Sequence, residues 1–277
     1  MEELPLGPDS MPQPGVPRGV VTKHALTSTV FANTLERPYW IYIPAQLKPD
    51  TPAPYMVFQD GDGYQALDGD FRVPVVFDNL IARGEIPPLI GIFIQPGMIA
   101  PTTPGGKPEH NRSFEYDLIT DQYVRFLAQD LLPAVAKLNP LSDKANDHAI
   151  AGCSSGGICA FTAAWFRPDL FSKVMSHVGS FADMRGGHDF PSLVRKNLPA
   201  KPIRVFLQGS SNDLDWEKGH WWLANLTMHA ALVFAKYDVK TSWDAGRHSG
   251  KNGGAGLPES LRWLWRPSRA APPVGPA

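Results

Sequence analysis

A chain of 277 residues, 43% hydrophobic and 19% charged, is long enough to bury a sizeable core and has the ordinary length of one α/β domain. Its 26 Lys and Arg against 27 Asp and Glu leave a net charge of -1, with no long stretch of one sign, so no nucleic-acid or membrane-surface partner is expected. No apolar run approaches the roughly 20 residues that span a bilayer.

Residues 1–18 hold Pro5, Pro8, Pro12, Pro14 and Pro17 and read as a Pro-rich extended arm. The arm is acidic at its start and has no apolar core, so it is not a signal peptide as it stands. The expected location is secreted or periplasmic if a signal or upstream domain has been removed from this arm, and cytoplasmic if Met1 is the native start. Residues 19–268 are expected to form a single domain, and residues 269–277 a disordered tail.

Residues 39–44 read as a strand ended by Pro44, and residues 55–59 as a more continuously apolar one, which suits a strand covered on both faces. A helix over 73–83 places Val76, Phe77, Leu80 and Ile81 on one side, and a strand over 89–94 follows. The stretch 95–112 carries four prolines and three glycines and predicts a long loop. Leu118, Ile119, Tyr123, Phe126, Leu127 and Leu131 give residues 116–137 helical spacing. A strand over 148–151 runs into Gly152 and a helix over 157–167. Strands over 173–178 and 203–207, a helix over 222–236, a strand over 239–243 and a helix over 258–265 complete the chain. Strands alternating with helices predict a doubly wound, mostly parallel sheet with helices on both faces. Cys153 and Cys159 are expected to be free. Placed at the start of one helix, they would lie ~9 Å apart at ~1.5 Å per residue, beyond the ~7 Å reach of a disulfide.

Gly152-Cys153-Ser154-Ser155-Gly156 fits G-x-S-x-G between a strand and a helix, the context of the nucleophile elbow of α/β-hydrolases. The register selects Ser154, which alone has glycine two positions to either side. Centring on Ser155 would put Cys153 in the first position, and centring on Cys153 would put Ala151 there. A serine hydroxyl needs a neighbouring base oriented by a third group, and in this fold the order is serine, acid, histidine. Asp213 and Asp215 follow the strand over 203–207, and His248 is the only histidine in the last strand-to-helix loop. Asp213 is the preferred acid, the nearer of the two to the strand end at Leu207. Asp215, the alternative, is better suited to capping the segment that follows. The oxyanion donors are expected from the amide of Ser155 and from Gly61 or Asp62 in the loop after residues 55–59. No Cys/His cluster has ligand spacing, so neither a metal nor another cofactor is expected.

These motifs resemble the esterase D and enterochelin-esterase-like group of α/β-hydrolases, which includes carbohydrate esterase family 1 (feruloyl and acetylxylan esterases) and siderophore esterases. The resemblance runs from about Gly19 to Arg266. It rests on Gln59-Asp60-Gly61, Asn111-Arg112 with Glu115-Tyr116, Asp130-Leu131-Leu132-Pro133, the elbow with its flanking Ala151 and Gly157, and Arg167-Pro168-Asp169-Leu170-Phe171. Met184 to His188 and Leu257 to Trp265 resemble an esterase-like branch of the group. The resemblance implies ester hydrolysis by a serine, acid and histidine triad without a metal. Two departures stand out. Cys153 replaces a commonly aliphatic residue, which leaves a reactive thiol beside the nucleophile, and Arg247 rather than glycine precedes His248.

The expected partner is a small-molecule or oligosaccharide ester, cleaved through an acyl-enzyme and joined to a carbohydrate or an aromatic group, as in feruloyl or acetyl esters. A siderophore ester is the alternative. An acyltransferase of the same fold and a catalytically dead binding domain stand as further readings. Tyr64, Arg185, His188, Trp216, Trp221 and Arg247 are candidate substrate-binding residues, with Lys251 a further cation for a carboxylate or phenolate. The sequence leaves the oligomeric state open.

Overall fold

A computed structural model of the chain describes residues 3–267, so the expected tail at 269–277 lies outside the described residues. Its centre is an eight-stranded sheet. We number these strands β1 (Val20–Leu26), β2 (Arg37–Ile43), β3 (Tyr55–Gln59), β4 (Ile90–Ile94), β5 (His148–Cys153), β6 (Lys173–His177), β7 (Arg204–Asn212) and β8 (Asp238–Arg247). In these labels the order across the sheet is β1-β2-β4-β3-β5-β6-β7-β8. β2 runs antiparallel to both β1 and β4, and every pairing from β4 to β8 is parallel. This is the mostly parallel, doubly wound α/β arrangement that the sequence predicts.

Every residue of β3 and β4 is buried, as their unbroken apolar runs require of strands covered on both faces. Successive side chains point to opposite faces, which divides the interior into two cores. Ile41, Tyr55, Val57, Ile92, Ile150, Val174 and Val205 pack against residues 122–136 and the helices Ser155–Phe166 and Trp221–Phe234. Tyr42, Met56, Phe58, Phe93, Met175 and Phe206 pack against the helices Val73–Ala82 and Leu257–Trp265.

Three features depart from the expectations. β1 has no counterpart among them: its VVTKHAL sequence is mostly solvent-exposed at the sheet edge and lacks an apolar run. The single helix expected over 116–137 is a short turn, Arg112–Tyr116, followed by a separate rod over 122–136 with a π turn at Leu127–Leu131. Pro133 has no N–H and its ring crowds the carbonyl four residues back, so the helix takes up an extra residue there. Finally, β7 and β8 extend past Leu207 and Trp243, because they pair with each other as far as Asn212 and Arg247, through a bulge after Asp244.

The Pro-rich arm is a strap across the body. Asn79 Nδ2 donates to the carbonyls of Asp9 and Met11, both at 2.9 Å, and Arg83 and Arg262 grip the Asp9 carboxylate. Nearer its start, the Leu4 N–H donates to Asn252 Oδ1 at 2.9 Å.

Candidate active site

Three strands end at one place. β5 stops at Cys153 and the chain turns sharply into the helix Ser155–Phe166, with Ser154 at φ 59 and ψ -120. A non-glycine residue holds this conformation only when its surroundings enforce it. Here the Ser154 N–H donates to the His177 carbonyl at 2.9 Å. A Cβ on Gly152 would lie 2.2 Å from the Gly156 carbonyl carbon, so that position admits only glycine.

Asp213 follows the last residue of β7, and His248 follows the last residue of β8. His248 Nε2 lies 2.8 Å from Ser154 Oγ, and His248 Nδ1 lies 2.5 Å from Asp213 Oδ1. The Asp213 side chain is fully buried, and its Oδ1 also accepts from the Leu214 N–H at 2.7 Å. With Asp213 ionised, Nδ1 carries the proton and Nε2 is left to accept from the serine. Asp215, the alternative acid, lies exposed in a two-residue ribbon paired with His220, so it neither meets His248 nor caps a helix.

On the other side of the elbow, the expected loop is a helical turn, Gly61–Gln65. Its first amides and that of Ser155 lack intrahelical acceptors by position. A Cβ on Gly61 would stand 2.4 Å from the Phe93 carbonyl carbon, so only glycine lets the turn sit this deep. Asp60 precedes it in the left-handed region, its carboxylate held by Arg112 Nε and Nη2 at 2.8 Å each. Burial opposes the charge on Arg112, but Asp60 outweighs it and raises the guanidinium above its ordinary value. A Cβ on Gly156 would meet Asp60 Oδ2 at 3.2 Å, which places the turn directly against the elbow. Asp62 is exposed and accepts from the Gly63 N–H. A cavity of about 310 Å³ beside the turn is lined by Glu36, Asp60, Asp62, Gln95, His110 and Arg112.

Several expected contacts are corrected. Tyr64 is 2% exposed, stacked 4.0 Å from Phe71 with its hydroxyl 3.0 Å from His177 Nδ1, so it is a packing residue with no face left for substrate. Trp221 is 1% exposed, with its ring edge-on to His248 at 6.1 Å and its indole N–H donated to Ser180 Oγ at 3.1 Å. Burial, reinforced by Asp60, pushes the Cys153 thiol up to about 12, which opposes the reactive thiolate that the sequence suggests. Cys153 ends β5 instead of opening a helix, and both it and Cys159 are free.

Trp216 is 52% exposed and tilts against Trp221 at 5.8 Å. Arg185 is exposed and donates to Ser113 Oγ at 3.2 Å, while His188 is engaged by Asp183 at 3.2 Å. Arg247 is exposed at the end of β8, opposite Asn212, and Lys251 pairs with Glu3 of the arm.

Two groups at the site escaped the sequence reading. Asp244 Oδ1 accepts from Ser210 Oγ, the Gly246 N–H and Asn252 Nδ2, while its Oδ2 accepts from Gln208 Nε2. It thereby ties β7, the bulge of β8 and the loop that carries His248. Its one legible signal is its place four residues before the histidine. Ser180, whose Oγ lies 3.3 Å from Ser154 Oγ, gives no signal in sequence. The family motifs also acquire physical roles: Glu115 takes both Arg37 nitrogens, at 2.6 and 3.0 Å, and accepts from Asn111 Nδ2, while Asp130 accepts from Ser28 and Thr29.

This sheet order, with a serine on a strained elbow at one strand end, is the α/β-hydrolase architecture. The chain belongs to the Esterase family, whose model matches residues 33–255. It is 28% identical over 211 residues to the iron(III) enterobactin esterase of Escherichia coli strain K12, covering 73% of this chain and 49% of that protein. Against the iron(III) enterobactin esterase of Dickeya dadantii strain 3937 it is 26% identical over 244 residues, covering 83% and 52%. The chain thus spans about half the length of these curated relatives. Among solved structures, the enterobactin esterase of Shigella flexneri in the presence of enterobactin superposes with a TM-score of 0.73 at 24% identity, covering 95% of this chain and 62% of that one. A ferulic acid esterase of carbohydrate esterase family 1 from Anaeromyces mucronatus, in complex with ferulic acid, superposes with a TM-score of 0.72 at 15% identity, covering 95% and 98%.

Proposed function

We propose that the protein is a serine carboxylic-ester hydrolase that works through an acyl-enzyme on Ser154. The observation that carries this reading is the continuous chain from Asp213 through His248 to Ser154, at 2.5 and 2.8 Å. Ser154 Oγ attacks the ester carbonyl while His248 Nε2 takes its proton, and Asp213 holds the imidazolium that forms. His248 then gives that proton to the departing alcohol oxygen as the carbonyl–oxygen bond breaks. Water repeats the sequence on the acyl-enzyme and frees the acid. The oxyanion is held by the Ser155 amide, at a helix N-terminus, and by the amides of Gly61 and Asp62.

For the substrate, we infer a small ester bearing an oxygen-substituted aromatic ring. The names of the similar proteins print enterobactin and ferulic acid, and both carry such rings. In this chain, exposed Trp216 offers a ring face against Trp221, whose own ring meets His248, and the cavity beside Asp62, His110 and Arg112 offers polar partners for ring oxygens. A siderophore ester and a feruloyl or acetyl ester of a carbohydrate are both compatible with these features. An acyltransferase would use the same acyl-enzyme with an alcohol in place of water. The test is hydrolysis of p-nitrophenyl acetate, methyl ferulate and ferric enterobactin by wild type and Ser154→Ala. Wild type should cleave the activated ester and at least one aromatic substrate, and Ser154→Ala should lose about 10³-fold or more with an unchanged thermal midpoint. Near-full activity in Ser154→Ala would remove the serine from its role.

A further inference from the structure

Ser180 is buried at 1% exposure beyond the end of β6, and its Oγ lies 3.3 Å from Ser154 Oγ. Its hydroxyl has a second neighbour, the indole N–H of Trp221 at 3.1 Å. An indole nitrogen only donates, so the Ser180 oxygen is the acceptor there. The Ser180 proton is then left for Ser154 Oγ, whose own proton points to His248 Nε2. The hydrogen bonds therefore run in one direction, from Trp221 through Ser180 and Ser154 to His248.

The segment that delivers Ser180 is held against its own preference. Val178 sits at φ 40, a conformation that a β-branched residue adopts only under constraint. Its N–H donates to the Gln208 carbonyl at 2.8 Å, Asn225 Nδ2 donates to the Gly179 carbonyl at 2.8 Å, and the Ser180 N–H donates to the Ser154 carbonyl at 3.1 Å. A mere acceptor for a buried indole would need none of this. The arrangement fixes the Ser180 hydroxyl to the nucleophile's backbone as well as to its side chain.

Resting on the acyl-enzyme reading above, we propose that Ser180 is a further catalytic residue, specific to the second half-reaction, and that Trp221 is the positioning residue that aims it. In deacylation, water adds to the acyl carbon as His248 takes its proton. The bond from that carbon to Ser154 Oγ then breaks, its electron pair stays on Oγ, and His248 returns the proton there. The Ser180 hydroxyl donates a hydrogen bond to Oγ throughout and transfers nothing. An ester oxygen is a weak acceptor, and a departing alkoxide is a strong one. The bond therefore tightens toward the deacylation transition state, which is the condition for catalysis. In acylation the resting serine hydroxyl, a better acceptor than an ester oxygen, already takes this hydrogen bond, so the bond tightens less on the way to that transition state and contributes less to that step.

The experiment separates the two steps. Acylation is read from the burst of p-nitrophenolate on rapid mixing with p-nitrophenyl acetate. Deacylation is read by intact mass, as loss of the acetyl group from Ser154 after the ester is removed. In Ser180→Ala, loss of the acetyl group should slow about tenfold, the scale of one neutral hydrogen bond, while the burst rate stays within about twofold. Trp221→Phe keeps a ring and removes the N–H, and it should slow the same step by a smaller factor. It also keeps the proposal testable if the alanine variant folds poorly. Equal slowing of both steps, or of neither, would overturn the role of Ser180 and leave the acyl-enzyme reading standing. Absence of any acetyl group on Ser154 in wild type would remove both.

Discussion

Strands β6 to β8 carry charged groups at both ends and use them differently. At their starts stand Lys173, Arg204 and Asp238; past the ends of β7 and β8 stand Asp213 and His248. Arg204 donates to Asp238 and to the carbonyls of Leu264 and Arg266, and Lys173 donates to the Asn146 carbonyl and lies 4.8 Å over the Trp265 ring. Burial, with Arg204 adding repulsion, brings the Lys173 ammonium down to about 8. This end is a clamp: arginine keeps its proton, and backbone carbonyls accept hydrogen bonds without exchanging them. At the other end, His248 and Ser154 both give and accept, and Asp213 accepts from His248. Both ends carry charge, but at one it is directed at backbone carbonyls and a ring, and at the other it joins side chains in a continuous chain.

Exchanging the acid tests that contrast most sharply. Asp213→Asn should cut kcat by several orders of magnitude, because an amide cannot hold the imidazole in the right tautomer. Asp215→Asn should leave kcat within about twofold, as expected of an exposed side chain. Steady-state rates with thermal midpoints alongside decide it, and a collapse in Asp215→Asn instead would reverse the two assignments.

His177 lies between the two kinds of charge. It ends β6 beneath the elbow, stacked 5.1 Å from Phe71, and burial lowers its imidazole from 6.5 to about 3. The unfolded chain takes up this proton near pH 6.5 and the folded chain does not. Its contribution to stability is therefore whole above about pH 6.5 and drains as pH falls toward 3, by up to about 1.4 kcal/mol per unit. His177→Asn should lose stability with acid less steeply than wild type in melts from pH 7 to 4. Parallel curves would show that the imidazole is not the group taking up the proton.

The smallest effect belongs to the clamp. Arg204→Ala removes the donor to the carbonyls of Leu264 and Arg266, while Asp238 keeps Arg266, and should cost about 2 kcal/mol, read as a lower denaturant midpoint. The kcat of the folded fraction should stay within about twofold. A large fall in kcat would mean that the two ends are coupled.

What could be read from the sequence follows from how local the cause is. β3 and β4 declare themselves because burial on both faces demands an unbroken apolar run. Ser154 and His248 could be proposed from the sequence because an elbow and a strand-end loop are local patterns. Tyr64 and Trp221 were misread, because an aromatic side chain near a site looks the same whether it lines a pocket or fills a core. Asp244 and Ser180 depend on strands that meet only after folding. The true length of β7, which carries the chain to Asp213, depends on β8 pairing with it as far as Arg247.

The strap along the body has a consequence for the order in which the site is completed. Leu4 meets Asn252, which also donates to Asp244 beneath the His248 loop, and Asp9 meets Arg262. These pairings join residues 248 and 253 positions apart, a very high sequence separation and therefore slow to close. During synthesis Ser154 and Asp213 emerge before Asn252, so the loop that holds His248 is tied to the strap after them. Esterase activity should accordingly lag behind the recovery of helical and sheet signal when the unfolded chain is returned to native conditions.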